Sequence, residues 1–198
     1  LDDILYPDPR DGESYWGGLR EDQFAFIEND LKFVPEDHLV VLAFHIPITG
    51  NTTFNNDHRD RLFQLLKDYP YTLSLSAHTH TQNQIFLGPA EGWQQEGTHH
   101  HYNVGTTSGD WYSGRLTEEG IPVSTMRDGT PKGYAYINFD CNRYTIDYKV
   151  FGKDPDFNMN VFTPKLVVQN TWANAQITVN FFIGSPNDSI FYKIKKKK

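Results

Sequence analysis

Two apolar segments with an amphipathic segment between them dominate the hydrophobic pattern of the first half of the chain. Residues 39–44 form a continuous apolar run, which predicts a strand buried on both faces of a sheet. A helix is then expected to begin near Asp57 and to end at Pro70. Its apolar positions repeat at i, i+3, i+4 and i+7, at Leu62, Leu65, Leu66 and Tyr69. Residues 71–77 predict the next strand.

The rest of the pattern predicts one earlier helix and one later hairpin. A helix is expected over residues 21–33, and its apolar face carries Phe24, Ile27 and Leu31. Residues 83–130 are rich in glycine and are expected to be mostly loop, and a loop of this length is more often functional than idle. Alternating apolar positions over residues 133–151 predict a β-hairpin.

Together these elements predict an α/β fold. A strand, a helix and a strand within about 40 residues make a βαβ unit, whose crossover forces the two strands to run parallel. We expect residues 1–152 to belong to this α/β domain. Residues 153–198 are expected to form a linker and a β-rich C-terminal domain, with further strands at Val167-Val168 and at residues 177–183.

Composition narrows the class of protein. The formal net charge of −7 argues against a nonspecific nucleic-acid binder, which needs a basic face. The single cysteine, Cys141, excludes an internal disulfide framework and a cysteine-rich zinc site. No apolar run approaches the length of a membrane span. The compartment stays open, with a soluble periplasmic or secreted parent protein among the options.

Three histidines follow the two predicted strands of the βαβ unit. His45 ends the first apolar run, and His78 and His80 follow the second. Because parallel strands end at the same edge of a sheet, and open α/β sheets bind ligands at that edge, these imidazoles are expected to meet there. Neutral imidazole is a common ligand of Zn, Fe and Mn ions, so the pattern predicts part of a metal site.

The same segments resemble the calcineurin-like metallophosphoesterases. In that family a strand ends in a lone histidine, a βαβ crossover follows, and the next strand ends in Gly-His-x-His. Phe44-His45-Ile46-Pro47 and Ala77-His78-Thr79-His80 match these motifs, with Ala77 in place of the usual glycine. Later segments resemble the bacterial subgroup that has an extra C-terminal domain: Asn103-Val104-Gly105, Gly109 through Gly114, Asp128-Gly129-Thr130-Pro131 and Gly133-Tyr134.

The resemblance implies a dinuclear centre of two divalent ions, Mn, Fe or Zn. It assigns His45 and His78 to one metal ion and His80 to the other. The family's Asp-x-His and Gly-Asn-His-Asp/Glu motifs, and the Gly-Asp motif that supplies the bridging aspartate, are expected upstream of residue 1. The chain is therefore interpreted as the C-terminal half of a layered metallophosphoesterase α/β sandwich, followed by a β-rich extension, and its own catalytic competence is left open.

The function implied is hydrolysis of a phosphoester substrate by metal-bound hydroxide. The alternative is a non-catalytic binding or structural module whose histidines are polar residues at strand ends. A half sheet of this kind is also expected to expose an unpaired edge, through which the chain could associate.

Substrate-binding candidates lie in the glycine-rich region. His99, His100 and His101 are proposed to form an active-site rim, the alternative being a polar loop held by local hydrogen bonds, and Trp111 is proposed to stack on a substrate ring. In a mononuclear alternative, these three histidines supply an extra metal ligand. Asp110 and Asp128 are interpreted as turn residues.

Overall fold

The computed structural model describes residues 1–50, 53–164 and 175–193, so the predicted strand at Val167-Val168 lies outside the described residues. The helices are α1 (Glu21–Leu31) and α2 (Asn56–Leu65). The strands are β1 (Ile4–Leu5), β2 (Trp16–Gly17), β3 (Val40–Ala43), β4 (Thr72–Ser76), β5 (Asn83–Leu87), β6 (His99–Asn103), β7 (Gly133–Asp140), β8 (Arg143–Val150), β9 (Met159–Phe162) and β10 (Thr178–Phe181). The mixed α/β class is confirmed.

A four-stranded sheet in the order β3-β4-β6-β5 forms the centre of the fold. Strands β3, β4 and β6 are parallel, and β5 runs antiparallel to β6. The predicted βαβ unit is confirmed, with α2 as its crossover helix between β3 and β4. The polar side chain of Asn55 starts that helix, because it accepts hydrogen bonds from the backbone N–H groups of Asp57 and His58.

The two helices cover one face of this sheet. Phe24, Ile27 and Leu31 of α1 are buried, as the apolar spacing predicts. They share one core with Leu42 of β3 and with Leu62 of α2. Burying an aliphatic or aromatic side chain of this size contributes about 1.5–3 kcal/mol, so this core holds the helices on the sheet.

Strand β3 differs from the expectation of burial on both faces. Leu42 is buried against the helices, whereas Val41 on the opposite face is 38% exposed and Ala43 is also exposed. The reason is position: β3 pairs with β4 alone among the strands of the described residues, so it stands at an edge of the sheet. Association through this edge stays a prediction.

Residues 83–103 correct the expectation of a long loop, because they contribute β5 and β6 to the sheet. His99 and His101 lie in β6 and point into the helix-covered side, where both are fully buried. Their side chains bond to three hydroxyl groups of the neighbouring β4. We refer to this row of alternating hydroxyls and imidazoles as the polar ladder, made of Thr72, His99, Ser74, His101 and Ser76.

Each hydrogen bond of the polar ladder is short. Thr72 Oγ1 lies 2.8 Å from His99 Nδ1, and Ser74 Oγ lies 2.7 Å from His99 Nε2. The same Ser74 oxygen lies 2.6 Å from His101 Nδ1, and Ser76 Oγ lies 2.8 Å from His101 Nε2. Every ring nitrogen of both imidazoles thus has a partner, which offsets the cost of burying them.

The predicted hairpin is confirmed as β7 and β8, and it lies on the other side of the sheet. Tyr144 of β8 bonds through its hydroxyl to His100 Nδ1 at 2.7 Å. A second, smaller core joins Met126, Tyr148, Val150 and Phe182. Gln82 and Gln84 donate from their side-chain amides to the carbonyls of Phe182 and Ile183, which ties the C-terminal segment to the sheet. The domain division at residue 152 stays a prediction.

Neither helix of the described residues is long and apolar enough to cross a membrane.

The polar ladder predicts an acid-sensitive fold. Burial lowers the pKa of His99 and of His101 to about 3, helped by neighbouring imidazole charge, and burial lowers the pKa of His100 to about 4. An unfolded histidine titrates near pH 6.5. Above about pH 7 these histidines are neutral in both the folded and the unfolded chain, so the unfolding free energy should not change with pH. Below about pH 6.5 the unfolded chain binds protons that the folded chain does not. The unfolding free energy should therefore fall by up to about 1.4 kcal/mol per pH unit for each of these histidines as the pH drops from 6.5 toward 4.

Urea unfolding followed by tryptophan fluorescence at pH 7.5, 6 and 5 measures this loss. A His99→Gln variant should show a smaller loss, whereas His38→Gln, at an exposed histidine, should show the wild-type loss. Equal stability of the wild-type protein at pH 7.5 and pH 5 would contradict the prediction.

The Ser74 hydroxyl bonds to both imidazoles of the polar ladder, so its removal should destabilise the protein. Ser74→Ala leaves one nitrogen on each of two buried imidazoles without its hydroxyl partner. The cost should be at least about 1–3 kcal/mol of unfolding free energy. Ser189→Ala, at an exposed serine, is the control and should change stability little. A Ser74→Ala variant as stable as the control would refute the ladder's contribution.

Candidate metal centre

The parallel pairing of β3 and β4 brings His45 and His78 together. Beyond the strands, pairing continues as the Ala77 backbone N–H donates to the His45 carbonyl at 3.0 Å. The two side chains then face each other, with His45 Nε2 3.0 Å from His78 Nδ1. Their rings meet edge to face at 4.9 Å between centroids. The structure thus brings together two of the three imidazoles that were expected to meet beyond these strands.

His80 takes a different partner. Its Nδ1 lies 3.0 Å from Asp110 Oδ1, and its ring lies 4.8 Å from the indole of Trp111. The His80 side chain is 18% exposed. The three histidines therefore form two pairs, His45 with His78 and His80 with Asp110.

The backbone conformation of residues 78–80 explains why His78 and His80 contact different partners. His78 and His80 both have left-handed backbone angles, with φ of 65° and 55°. Such angles are uncommon for residues other than glycine and tend to occur at functional sites. Thr79 between them is held by hydroxyl contacts to Thr81 and to the Asn103 amide. The segment has left the strand by this point, so the two rings do not share one side as a regular strand would require.

Asp3 holds the His45 segment in place. The Asp3 carboxylate accepts the backbone N–H of His45 at 3.0 Å and that of Ile46 at 2.7 Å. The residue is almost fully buried. Burial raises the pKa of the Asp3 carboxyl, and the two backbone donors oppose that rise. Sequence reasoning missed Asp3, because an aspartate in a loop 42 positions from its partner carries no local signal.

Asp110 lies in a turn, as interpreted from the sequence, and it also holds side chains of the candidate centre. Besides contacting His80, its Oδ1 accepts a hydrogen bond from Arg127 Nε at 3.2 Å. The Arg127 backbone N–H in turn donates to the His80 carbonyl at 2.9 Å. Asp110 thus orients a histidine and an arginine, in addition to its position in a turn. The available sequence signal was the Gly109-Asp110-Trp111 segment, in which Gly109 and Trp111 have positive φ.

The charge around His78 favours a neutral imidazole. Burial lowers the pKa of His78, and the nearby His45, His80 and Arg127 lower it further. A neutral ring keeps a lone pair for a metal ion, because protons and metal ions compete for the same nitrogen.

The donor set fits two ligands of one divalent ion. His45 Nε2 and His78 Nδ1 point at each other across 3.0 Å, so a small shift of the rings lets both nitrogens bind one ion. Within the ranges that the structure describes, no three His, Cys, Asp or Glu side chains come together as a metal cluster. The chain therefore offers a pair of ligands and a separate histidine, and a closed coordination sphere needs further donors.

The four substrate-binding candidates occupy different places. His99 and His101 are fully buried in the polar ladder, so neither reaches an active-site rim in this fold. His100 is half-buried and stacks between Phe86 and Tyr144. Trp111 alone stands at the candidate centre, 72% exposed beside His80.

A cleft of about 390 Å³ adjoins His78. It lies between the segment around β2, the start of the loop after β3 and the loop that carries Arg127. Its lining is Ser14, Tyr15, Trp16, Gly17, Ile46, Thr53, His78, Thr79 and Arg127.

Residues 101–198 match the family model described as the C terminal of calcineurin-like phosphoesterase, which is about half of the chain. The chain therefore belongs to the calcineurin-like phosphoesterases and contains the family's C-terminal region. The comparisons with curated proteins and with solved structures gave no match. The two histidine motifs at His45 and at His78/His80 lie before the matched segment.

Loss of the Asp3 carboxylate should loosen the His45 segment. Asp3→Asn keeps the size of the side chain but leaves one of the two backbone N–H groups without an acceptor. The unfolding free energy should fall by about 1–3 kcal/mol. Thermal unfolding measures this change, and the His45 imidazole resonances should shift at the same time.

Asp68→Asn, at an exposed aspartate, serves as the matched control. The role assigned to Asp3 would be wrong if both variants unfolded with the wild-type midpoint and left the His45 resonances in place.

Proposed function

We propose that this chain contributes the distal metal ligands of a metal-dependent phosphoester hydrolase. His45 and His78 bind one divalent ion, and His80 binds a second ion whose other ligands lie outside the described residues. The observation that carries the proposal is the 3.0 Å approach of two imidazole nitrogens at the aligned ends of two parallel strands. The family match to calcineurin-like phosphoesterases gives this pair its chemical context.

The residues around the imidazoles act as supports. Asp3 fixes the backbone of His45, and Asp110 orients the His80 ring by its contact with Nδ1. Carboxylates that bond to the second nitrogen of a metal-binding histidine set its tautomer and raise its basicity. With Nδ1 engaged, His80 Nε2 is the nitrogen free for a metal ion.

The chemistry supplied by the bound ions is a metal-activated water that attacks phosphorus, together with neutralisation of the charge on phosphate. The chain's own part is to hold neutral imidazoles in place. The lowered pKa of His78 serves this purpose, because it favours the unprotonated ring.

The rival functions receive less support. A non-catalytic module is not favoured, since the matched family is a phosphoesterase family. In the mononuclear alternative a ligand comes from His99, His100 or His101, but His99 and His101 have both ring nitrogens bonded within the sheet. Stacking of Trp111 on a substrate stays part of the proposal, because its ring is exposed beside His80.

Metal titration tests the proposed function. Mn²⁺ should broaden the imidazole proton resonances of His45 and His78 before those of the other histidines, and Zn²⁺ should bind with at most one strong site per chain. His78→Ala should weaken Zn²⁺ binding by at least about tenfold, since loss of a supporting residue alone costs that much in metal sites. Occupancy should also fall as the pH drops through the range in which imidazoles take up protons.

His38→Ala removes an exposed histidine that precedes β3 and is paired with Asp37, and it is the control. Equal Zn²⁺ affinity in wild-type, His78→Ala and His38→Ala proteins would overturn the proposal. Two tightly bound ions per chain would show that the chain completes the centre with carboxylates not assigned above.

A further inference from the structure

We infer that Arg127 is the anion-binding residue of this centre, and that the cleft beside it takes the hydroxylated alcohol part of a small phosphoester, of the sugar-phosphate class. This inference rests on the proposed function, because it names the substrate of the same site.

Arg127 is anchored to the candidate centre at two points. Its backbone N–H donates to the His80 carbonyl at 2.9 Å, and its Nε donates to Asp110 Oδ1 at 3.2 Å. The same Asp110 oxygen contacts His80 Nδ1 at 3.0 Å. One carboxylate therefore fixes the guanidinium and the imidazole relative to each other.

The outer part of the Arg127 guanidinium is free to bind. The side chain is 54% exposed, and its two Nη groups donate to no residue in the described part of the chain. A guanidinium presents parallel N–H donors that match two oxygens of a phosphate. The contact with Asp110 uses Nε alone and leaves that fork open.

The positive charge of Arg127 would attract a phosphate to an otherwise acidic protein. The chain has a formal net charge of −7, so a phosphate that enters the site needs local positive charge. Among the residues that line the cleft beside His78, Arg127 is the one with a permanent positive charge. Because Arg127 and His78 both line this cleft, an anion bound by Arg127 would border it.

The cleft favours a polyhydroxylated group over an acyl chain. Its volume of about 390 Å³ is at the small end of ligand pockets, which span about 300–1,000 Å³. Three of its lining residues, Ser14, Tyr15 and Thr53, carry hydroxyl groups, and none of these hydroxyls is bonded to another described side chain. The Tyr15 ring is half-exposed and stands edge-on to His78 at 5.9 Å between centroids. A sugar ring supplies hydroxyls for these groups and an apolar face for an aromatic ring.

Binding of three probes to the metal-free chain tests the inference. Inorganic phosphate, glucose 6-phosphate and phenyl phosphate are titrated at low ionic strength, and backbone amide shifts report the affinity. Arg127→Gln should weaken binding of inorganic phosphate by about tenfold or more, since a hydrogen bond to a charged group is lost. Arg127→Lys should restore part of that affinity. Glucose 6-phosphate should bind more tightly than phenyl phosphate.

Two controls sharpen the test. Arg143→Gln removes another exposed arginine that is also paired with an aspartate, and it should leave phosphate binding unchanged. A combined Ser14→Ala and Thr53→Val variant should remove the advantage of glucose 6-phosphate and leave inorganic phosphate unaffected. Equal phosphate binding by wild-type and Arg127→Gln proteins, or no phosphate binding by the wild type, would overturn the arginine assignment. Equal affinity for the two organic phosphates would overturn the sugar-phosphate assignment.

Failure of this inference is distinguishable from failure of the proposed function. Arg127→Gln should retain the Zn²⁺ binding that His78→Ala loses, because Arg127 supports the centre but is not proposed as a metal ligand. If His78→Ala weakens Zn²⁺ binding and Arg127→Gln leaves phosphate binding unchanged, the proposed metal centre is supported and the proposed anion site is wrong. If Arg127→Gln weakens phosphate binding and His78→Ala leaves Zn²⁺ binding unchanged, the proposed anion site is supported and the proposed function is wrong.

Discussion

The parallel register of β3 and β4 is the constraint on which the rest of the structure depends. Val40 to Ala43 pair with Thr72 to Leu75 residue by residue, and this places the segments after the two strands side by side. A shift of one residue would move the chain by about 3.3 Å and turn every side chain to the other face. Leu42 would then leave the helix-covered core, so burial of apolar side chains maintains the same register that brings His45 to His78.

The helix-covered face of the central sheet is unusual because its middle is polar. Hydroxyls on β4 and imidazoles on β6 alternate along the polar ladder, and apolar residues of the helices and of β5 surround them. Aromatic rings pack on the two imidazoles. Phe44 stacks on His101, and both Phe63 and Trp93 lie against His99. A fully bonded ladder stabilises one pairing of β4 with β6, since any slip would leave buried nitrogens and hydroxyls unpaired.

The candidate centre is assembled from segments that are far apart along the chain. The segment before β1 supplies Asp3, and the segments that follow β3 and β4 supply the three histidines. The glycine-rich region supplies Asp110 and Arg127. The C-terminal segment then packs on Gln82 and Gln84, just after His80, and Asn180 donates to the Asp128 carbonyl beside Arg127. The region that matches the family model therefore contains Asp110 and Arg127 and packs against the segment that follows His80.

Elements that depend on local periodicity could be predicted from the amino-acid sequence. The βαβ unit, the apolar faces of both helices and the β7–β8 hairpin follow from residue spacing. The meeting of His45 with His78 follows from the parallel direction that the crossover imposes on β3 and β4. The sequence also carried the motifs of the family. These features need no knowledge of distant partners, because they are set by residues within one element or by two neighbouring ones.

The remaining features depend on contacts between segments that are far apart along the chain. The burial of His99 and His101 depends on hydroxyls 25–27 positions away, and the partner of His80 is 30 positions away. The left-handed turn through His78 and His80 sends their rings to separate partners, and Asp3 reaches across 42 positions to the backbone of His45. Such contacts have no local signal, because a histidine or an aspartate looks the same in sequence whether a distant partner buries it or leaves it to solvent.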